Sequence, residues 1–143
     1  MKDMPRARAA IPRTAVIRAT AVAVGLVTVA AGLGVRSAAS GGPAAYVGDA
    51  LYATLVHILV TALAPKVRPS VAAGIAVAVS WVVELAQLTG VPAELSARST
   101  VARLVLGSTF NAPDLFWYVV GACLAWAVHS LLLSRSPRSG ART

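Results

Sequence analysis

Charge is what this sequence has least of. Only 13% of its 143 residues are charged, and five of those are carboxylates. Soluble domains are about a quarter charged, so an ordinary water-surrounded globule is excluded. Cysteine is nearly absent. The single Cys123 can form no internal disulfide and no cysteine-based metal site, and it reads as a packing residue. Also lacking are a nucleophile-triad signature, a phosphate-cradling glycine loop and an HExxH-type metal spacing. Those absences weigh against a recognisable hydrolase, so no catalytic residue, metal or cofactor is assigned and the reading leans away from an enzyme.

What the chain has is apolar length. Hydrophobic residues make up 57% of it, and the mean hydropathy is +0.74. Without the polar ends there is room for about four spans of roughly 20 residues each. The net charge of +8 comes from short basic clusters beside the apolar runs, with no patch interleaved with aromatics. Nucleic acid is therefore not the expected partner, and the lipid bilayer is. The expected fold is an all-α membrane protein of one domain, with four transmembrane helices and a short amphipathic or half-inserted helix between the third and fourth.

In order, residues 1–18 form a basic tail in which Pro5 and Pro12 oppose early helix. The first span covers about residues 19–36, with small residues four apart at Ala21/Gly25 and Thr28/Gly32 for close helix packing. A cleaved signal peptide is the competing reading, because a basic start, an apolar run and the small residues 37–40 resemble its three regions. A Gly/Pro/Ala loop leads to the second span, about 46–64, stopped by Ala64-Pro65. The third covers about 70–89 and closes at Thr89-Gly90-Val91-Pro92. The fourth, about 114–133, opens after Asn111-Ala112-Pro113 and is followed by a basic tail, 134–143. Between the last two, the outer segment 93–110 has too short an apolar run to cross a bilayer, and Glu94 and Arg98 share one of its faces.

Orientation follows from Lys and Arg. Lys2, Arg6, Arg8, Arg13, Arg18, Lys66, Arg68, Arg135, Arg138 and Arg142 fall on one side, whereas Arg36, Arg98 and Arg103 fall on the other. Both termini are thus expected in the cytoplasm, with the chain in a bacterial inner membrane. Tyr46, Tyr52, Trp117 and Tyr118 then form an outer aromatic belt.

This topology gathers the rare charges. Asp49 and Asp114 open spans two and four, Glu84 lies near the outer end of span three, and Arg98 and Arg103 sit in the outer segment. A carboxylate in hydrocarbon costs at least about 2.5 to 3.5 kcal/mol on insertion scales, so such residues face a bundle interior or a wet cavity. The ligand-binding candidates are Asp49, Glu84, Gln87, Arg98 and Asp114, with Tyr52, Arg103 and Tyr118 beside them. Capping is the alternative role for the two aspartates. For Glu84 the alternative to a ligand or proton site is an ion pair with Arg98 or Arg103. Gln87 also suits an interhelical hydrogen bond. Asp114, Tyr118, Gly121 and Ala125 line a face that lets another helix, or a ligand, come close. His57 and His129 read as satisfied or snorkelling histidines, with a shared metal or proton relay as the alternative.

Taken together, Tyr46-Val47-Gly48-Asp49-Ala50-Leu51-Tyr52, Val83-Glu84-Leu85-Ala86-Gln87-Leu88, Pro92, Arg98-Ser99-Thr100, Leu104-Val105-Leu106-Gly107, Phe110 and Asp114-Leu115 with Tyr118 and Gly121 resemble a small bacterial membrane family. That family is known as a domain of unknown function and is sometimes labelled ribosomal-maturation-like. The likeness runs from Tyr46 to about His129. The chain departs from the pattern at Tyr52, Thr89 and Ala93, where larger or different aromatics are common, and at Arg103, commonly small. More loosely, the order of Asp, Glu-x-x-Gln, Arg and Asp is similar to VanZ-like proteins, linked with glycopeptide-antibiotic tolerance.

The functional expectation is an outward-facing polar pocket that binds a lipid headgroup or cell-envelope precursor. The alternatives are a structural or accessory subunit docking a larger partner or a second copy, and a proton-coupled transporter or membrane enzyme using Glu84. Reporter fusions at the two termini test the topology first. Both should report the cytosol, and a reporter active only outside at either end would reverse the assignment.

Overall fold

The computed structural model describes residues 11–38 and 42–135. Lys2, Arg6, Arg8, Arg138 and Arg142 of the basic tails, and Ala39 and Ser40 of the small-residue stretch, lie outside the described residues. Among the described residues six α-helices follow in order: α1 (Arg13–Ala38), α2 (Gly42–Leu63), α3 (Pro69–Ala86), α4 (Val91–Arg98), α5 (Thr100–Leu106) and α6 (Ala112–Arg135). A single 3₁₀ turn, Gln87–Thr89, prolongs α3. Four of these elements, Arg13–Val35, Gly42–Leu63, Pro69–Thr89 and Ala112–Arg135, are long and apolar enough to cross a membrane, which fits a multi-pass membrane protein.

Helix boundaries differ from the sequence reading wherever a proline stands at a start. Proline at the first turn costs no hydrogen bond, because the amide it lacks would be unsatisfied there. Thus α2 begins at Gly42 beside Pro43, in the stretch expected as loop, and α1 begins at Arg13 directly after Pro12. Residues 13–18 are therefore helical. Arg18 is accommodated by reaching the end of α2, where its Nε donates to the Ala62 carbonyl at 3.2 Å. Such a carbonyl has no partner within its own helix.

Packing is made by small residues. On α3, Ala72, Ala76, Ser80 and Glu84 recur one turn apart and all are buried, so three short side chains lead up to a carboxylate on a single stripe. Ala53 on α2 and Tyr118 and Ala122 on α6 complete the core. α1 packs on α2, and α2, α3 and α6 pack on one another. Thr28 and Ala21 of α1 are buried, and Gly25 faces Leu55 and Ile58, as the small-residue spacing predicts. The tightest crossing is between α2 and α6: a methyl group on Gly121 would collide with the backbone of Ala50. Thr54 reinforces this crossing, its hydroxyl lying 2.9 Å from the Ala50 carbonyl and 3.1 Å from that of Gly121.

Two ends result. At one lie the start of α1, the α2–α3 turn with Lys66 and Arg68, and the end of α6 with Arg135; we call it the basic end. The other, the acidic end, carries α4, α5 and the start of α6. Gly121→Val should lower the unfolding free energy in detergent by about 1–3 kcal/mol or more, the usual cost of overpacking. Gly74→Ala, which meets nothing within 4 Å, should be neutral or stabilising by up to about 1 kcal/mol. Equal melting of the two variants would refute the close crossing.

Candidate functional site

Glu84 is only 1% exposed. An ion pair with Arg98 or Arg103, one of the two alternatives for this residue, is not what compensates it: both arginines are exposed. Three donors from separate parts of the chain do so instead. The backbone N–H of Asn111 donates to Oε1 at 2.7 Å. The Tyr118 hydroxyl donates to Oε2 at 3.0 Å, and the Gln87 amide donates to the same oxygen at 3.3 Å. An ionised carboxylate is acceptor-only, and this environment supplies donors alone.

The Asn111 contact has a particular origin. Asn111 immediately precedes α6, and Asp114 stands in its first turn. In a capping box the side chain at the third helical position takes the backbone N–H of the cap residue. Here Asp114 Oδ1 instead accepts from the Asn111 side chain, and the Asn111 backbone N–H is given to Glu84 on another helix. The carboxylate of α3 thus occupies the electropositive start of α6, where the helix dipole favours negative charge.

Gln87 binds the third segment. Its Nε2 also donates to the Leu106 carbonyl at 2.8 Å. Since both neighbours of that nitrogen are acceptors, the amide orientation is fixed. The approach is possible only because residue 107 is glycine: φ is 65° and ψ −166°, a region essentially reserved for glycine, and a Cβ would lie 2.6 Å from Gln87 Nε2. Ser96 closes the loop, its hydroxyl donating to the Gly107 carbonyl at 2.6 Å. The outer segment is two short helices broken at Ser99, not one, because Ser99 adopts extended backbone and its Oγ accepts from the Ala102 N–H.

Of the residues singled out in the sequence, Glu84, Gln87 and Tyr118 form one hydrogen-bonded cluster. Asp49 and Asp114 are half-buried and near enough to the Tyr118 hydroxyl to act on it electrostatically. Asp49 lies about two turns inside α2, which begins at Gly42, so capping is not its role. Tyr52 packs against Tyr118 with ring centroids 5.9 Å apart. Arg98 and Arg103 are not drawn into the cluster. Asn111 was missed as a partner because its contribution is a backbone amide, which no side-chain pattern marks. The stop-and-start signal around Pro113 was its only trace. Trp81 donates Nε1 to the Leu115 carbonyl at 3.0 Å and ties α3 to α6 a second time.

At the other end, His57 Nε2 and His129 Nδ1 are 3.1 Å apart. No group of three or more His, Cys, Asp or Glu among the described residues could hold a metal ion.

A family model described as "Protein of unknown function (DUF2809)" matches residues 40–122, the stretch that contains the whole acidic end. No curated protein and no solved structure matches the chain.

Glu84→Gln should destabilise almost as much as Glu84→Ala, since a carboxamide turns an N–H₂ group toward donors. Each donor left buried without a partner costs about 1–3 kcal/mol. In a thermal double-mutant cycle, Glu84→Ala and Tyr118→Phe should couple by about 0.5–3 kcal/mol. Strict additivity would show that the hydroxyl and carboxylate do not interact.

Proposed function

The chain belongs to the DUF2809 family of proteins of unknown function, and from the geometry of the acidic end we propose that it receives an anionic headgroup, of a lipid or a cell-envelope precursor, on the α4–α5 segment. The observation that carries this reading is the surface of that segment. Leu95, Val101, Leu104 and Val105 are exposed beside exposed Arg98 and Arg103. Apolar side chains alternating with basic ones suit a helix lying in the membrane interface, with cations at headgroup level. Glu84 then acts as the anchor that holds this segment on the bundle, with Gln87, Tyr118 and Asp114 supporting it and Asp49 alongside. The excess of Lys and Arg at the basic end supports an inner-membrane orientation with the termini in the cytoplasm and α4–α5 outside.

A structural or accessory role is the second reading, favoured by the three internal donors already on Glu84. A stable stoichiometric partner on purification in mild detergent supports it, and a clean monomer counts against it.

The headgroup reading is tested with Trp117, which stacks on Tyr46 near the start of α6. In a Trp81→Phe/Trp126→Phe background, brominated phosphatidylglycerol should quench Trp117 fluorescence more than brominated phosphatidylcholine does. Adding Arg98→Ala and Arg103→Ala should remove the difference, since each basic residue near an anionic surface contributes about 1 kcal/mol. Equal quenching by the two lipids in the parent would reject the proposal.

A further inference from the structure

A different ligand position lies at the basic end, independent of the α4–α5 reading. Because α1 packs on α2 while α6 packs on α2 and α3, a groove floored by α2 is left between α1 and α6. Its volume is about 970 Å³, at the upper end of the roughly 300–1,000 Å³ of small-molecule sites. Its walls are chiefly apolar, with Val24 on one side and Val128 and Leu132 on the other, and its mouth carries Arg13 and Lys66. A second cavity of about 300 Å³, lined by Arg18 and Lys66, adjoins it and shares Thr14, Pro65 and Val67 with it. A greasy slot beneath a cluster of cations is complementary to an anionic amphiphile, and basic pockets between transmembrane helices take such headgroups.

The depth of the groove holds a second, independent sign. His57 lines it and is 2% exposed. Its Nε2 meets His129, but its Nδ1 is buried with no hydrogen-bond partner. Buried polar atoms are almost always satisfied, and the residue that carries this one lines a groove large enough to admit a ligand. His57 lies about 9 Å along the helix axis from the end of α2, below the level of the cations. When His129 Nδ1–H donates to His57 Nε2, the remaining proton of His57 is on Nδ1, where it has no acceptor within the chain.

We propose that the groove between α1 and α6 binds one anionic phospholipid, with its phosphate among Arg13, Arg18 and Lys66, an acyl chain between Val24 and Val128, and an ester carbonyl accepting from His57 Nδ1. The histidine pair is then one half of a lipid-recognition site, and the ligand satisfies its open nitrogen. The bound lipid also fills the space between α1 and α6, so α1 is seated by lipid as well as by α2.

The test is native mass spectrometry of the full chain in mild detergent with phosphatidylglycerol or phosphatidylcholine added. Phosphatidylglycerol should be retained at one per chain, at least fivefold above phosphatidylcholine. Arg18→Gln with Lys66→Gln should bring the two lipids level. Val128→Trp, and independently Val24→Trp from the α1 side, should cut retention at least fivefold while leaving helix content and melting unchanged. Both valines are exposed, so each substitution fills the groove without entering the core. Arg98→Ala with Arg103→Ala should leave this retention intact, which separates the groove from the α4–α5 segment. Equal retention of the two lipids by the parent chain, undiminished phosphatidylglycerol on both tryptophan variants, loss of the lipid only in the Arg98/Arg103 variant, or a lipid-free dimer closing the groove would each overturn the assignment.

Discussion

Burial of the Glu84 carboxylate is the constraint on which the acidic end depends. An unpaired carboxylate in an apolar interior is expensive, and real proteins compensate it with counter-charge or with hydrogen bonds. Here the compensation is by hydrogen bonds. Oε1 takes the amide at the start of α6, and Oε2 takes a phenol from the second turn of the same helix and an amide from the turn that prolongs α3. Satisfying that one side chain fixes the position of α6 relative to α3 and, through Gln87 and Leu106, the return of the α4–α5 segment. The small residues on the α3 stripe serve the same end, since only short side chains let the helices approach until a tyrosine on one reaches a glutamate on another.

This division of labour leaves the arginines exposed. Had Arg98 or Arg103 been drawn into the interior to neutralise Glu84, the segment carrying them would have presented one cation fewer to its surroundings. Because neutral donors do that work, both guanidinium groups remain at the surface beside Leu95 and Leu104. The same logic recurs at the opposite end, where Arg18 caps a carbonyl of α2 and stays at the mouth of a groove. At both ends cations stand at the rim, and the donors to the buried Glu84 carboxylate carry no formal charge.

Much of the architecture was legible in the sequence because in hydrocarbon the signals are few and strong: apolar runs of spanning length, proline and glycine punctuation, and rare charges that have to be explained. Glu84 stood out for that reason, and Gln87 and Tyr118 followed from helical spacing. Gly121 was readable as a point of close approach. Helix starts were misplaced where proline was taken as a breaker at Pro12 and Pro43, although at a first turn it is compatible with helix. The partners of Glu84 were misjudged because charge invites a search for opposite charge, and a backbone amide leaves no mark in composition. The meeting of His57 and His129 depends on how two distant spans are rotated about their axes, which periodicity within either span does not fix.

Handing the Asn111 amide to another helix also bears on the order of events during synthesis. Until the ribosome has delivered residues 111–118, Glu84 has neither that amide nor the Tyr118 phenol, and the third span carries an acid into the bilayer with only Gln87 for company. Its seating is therefore provisional until the last span arrives. A nascent chain halted after Phe110 would leave Glu84 without two of its three donors.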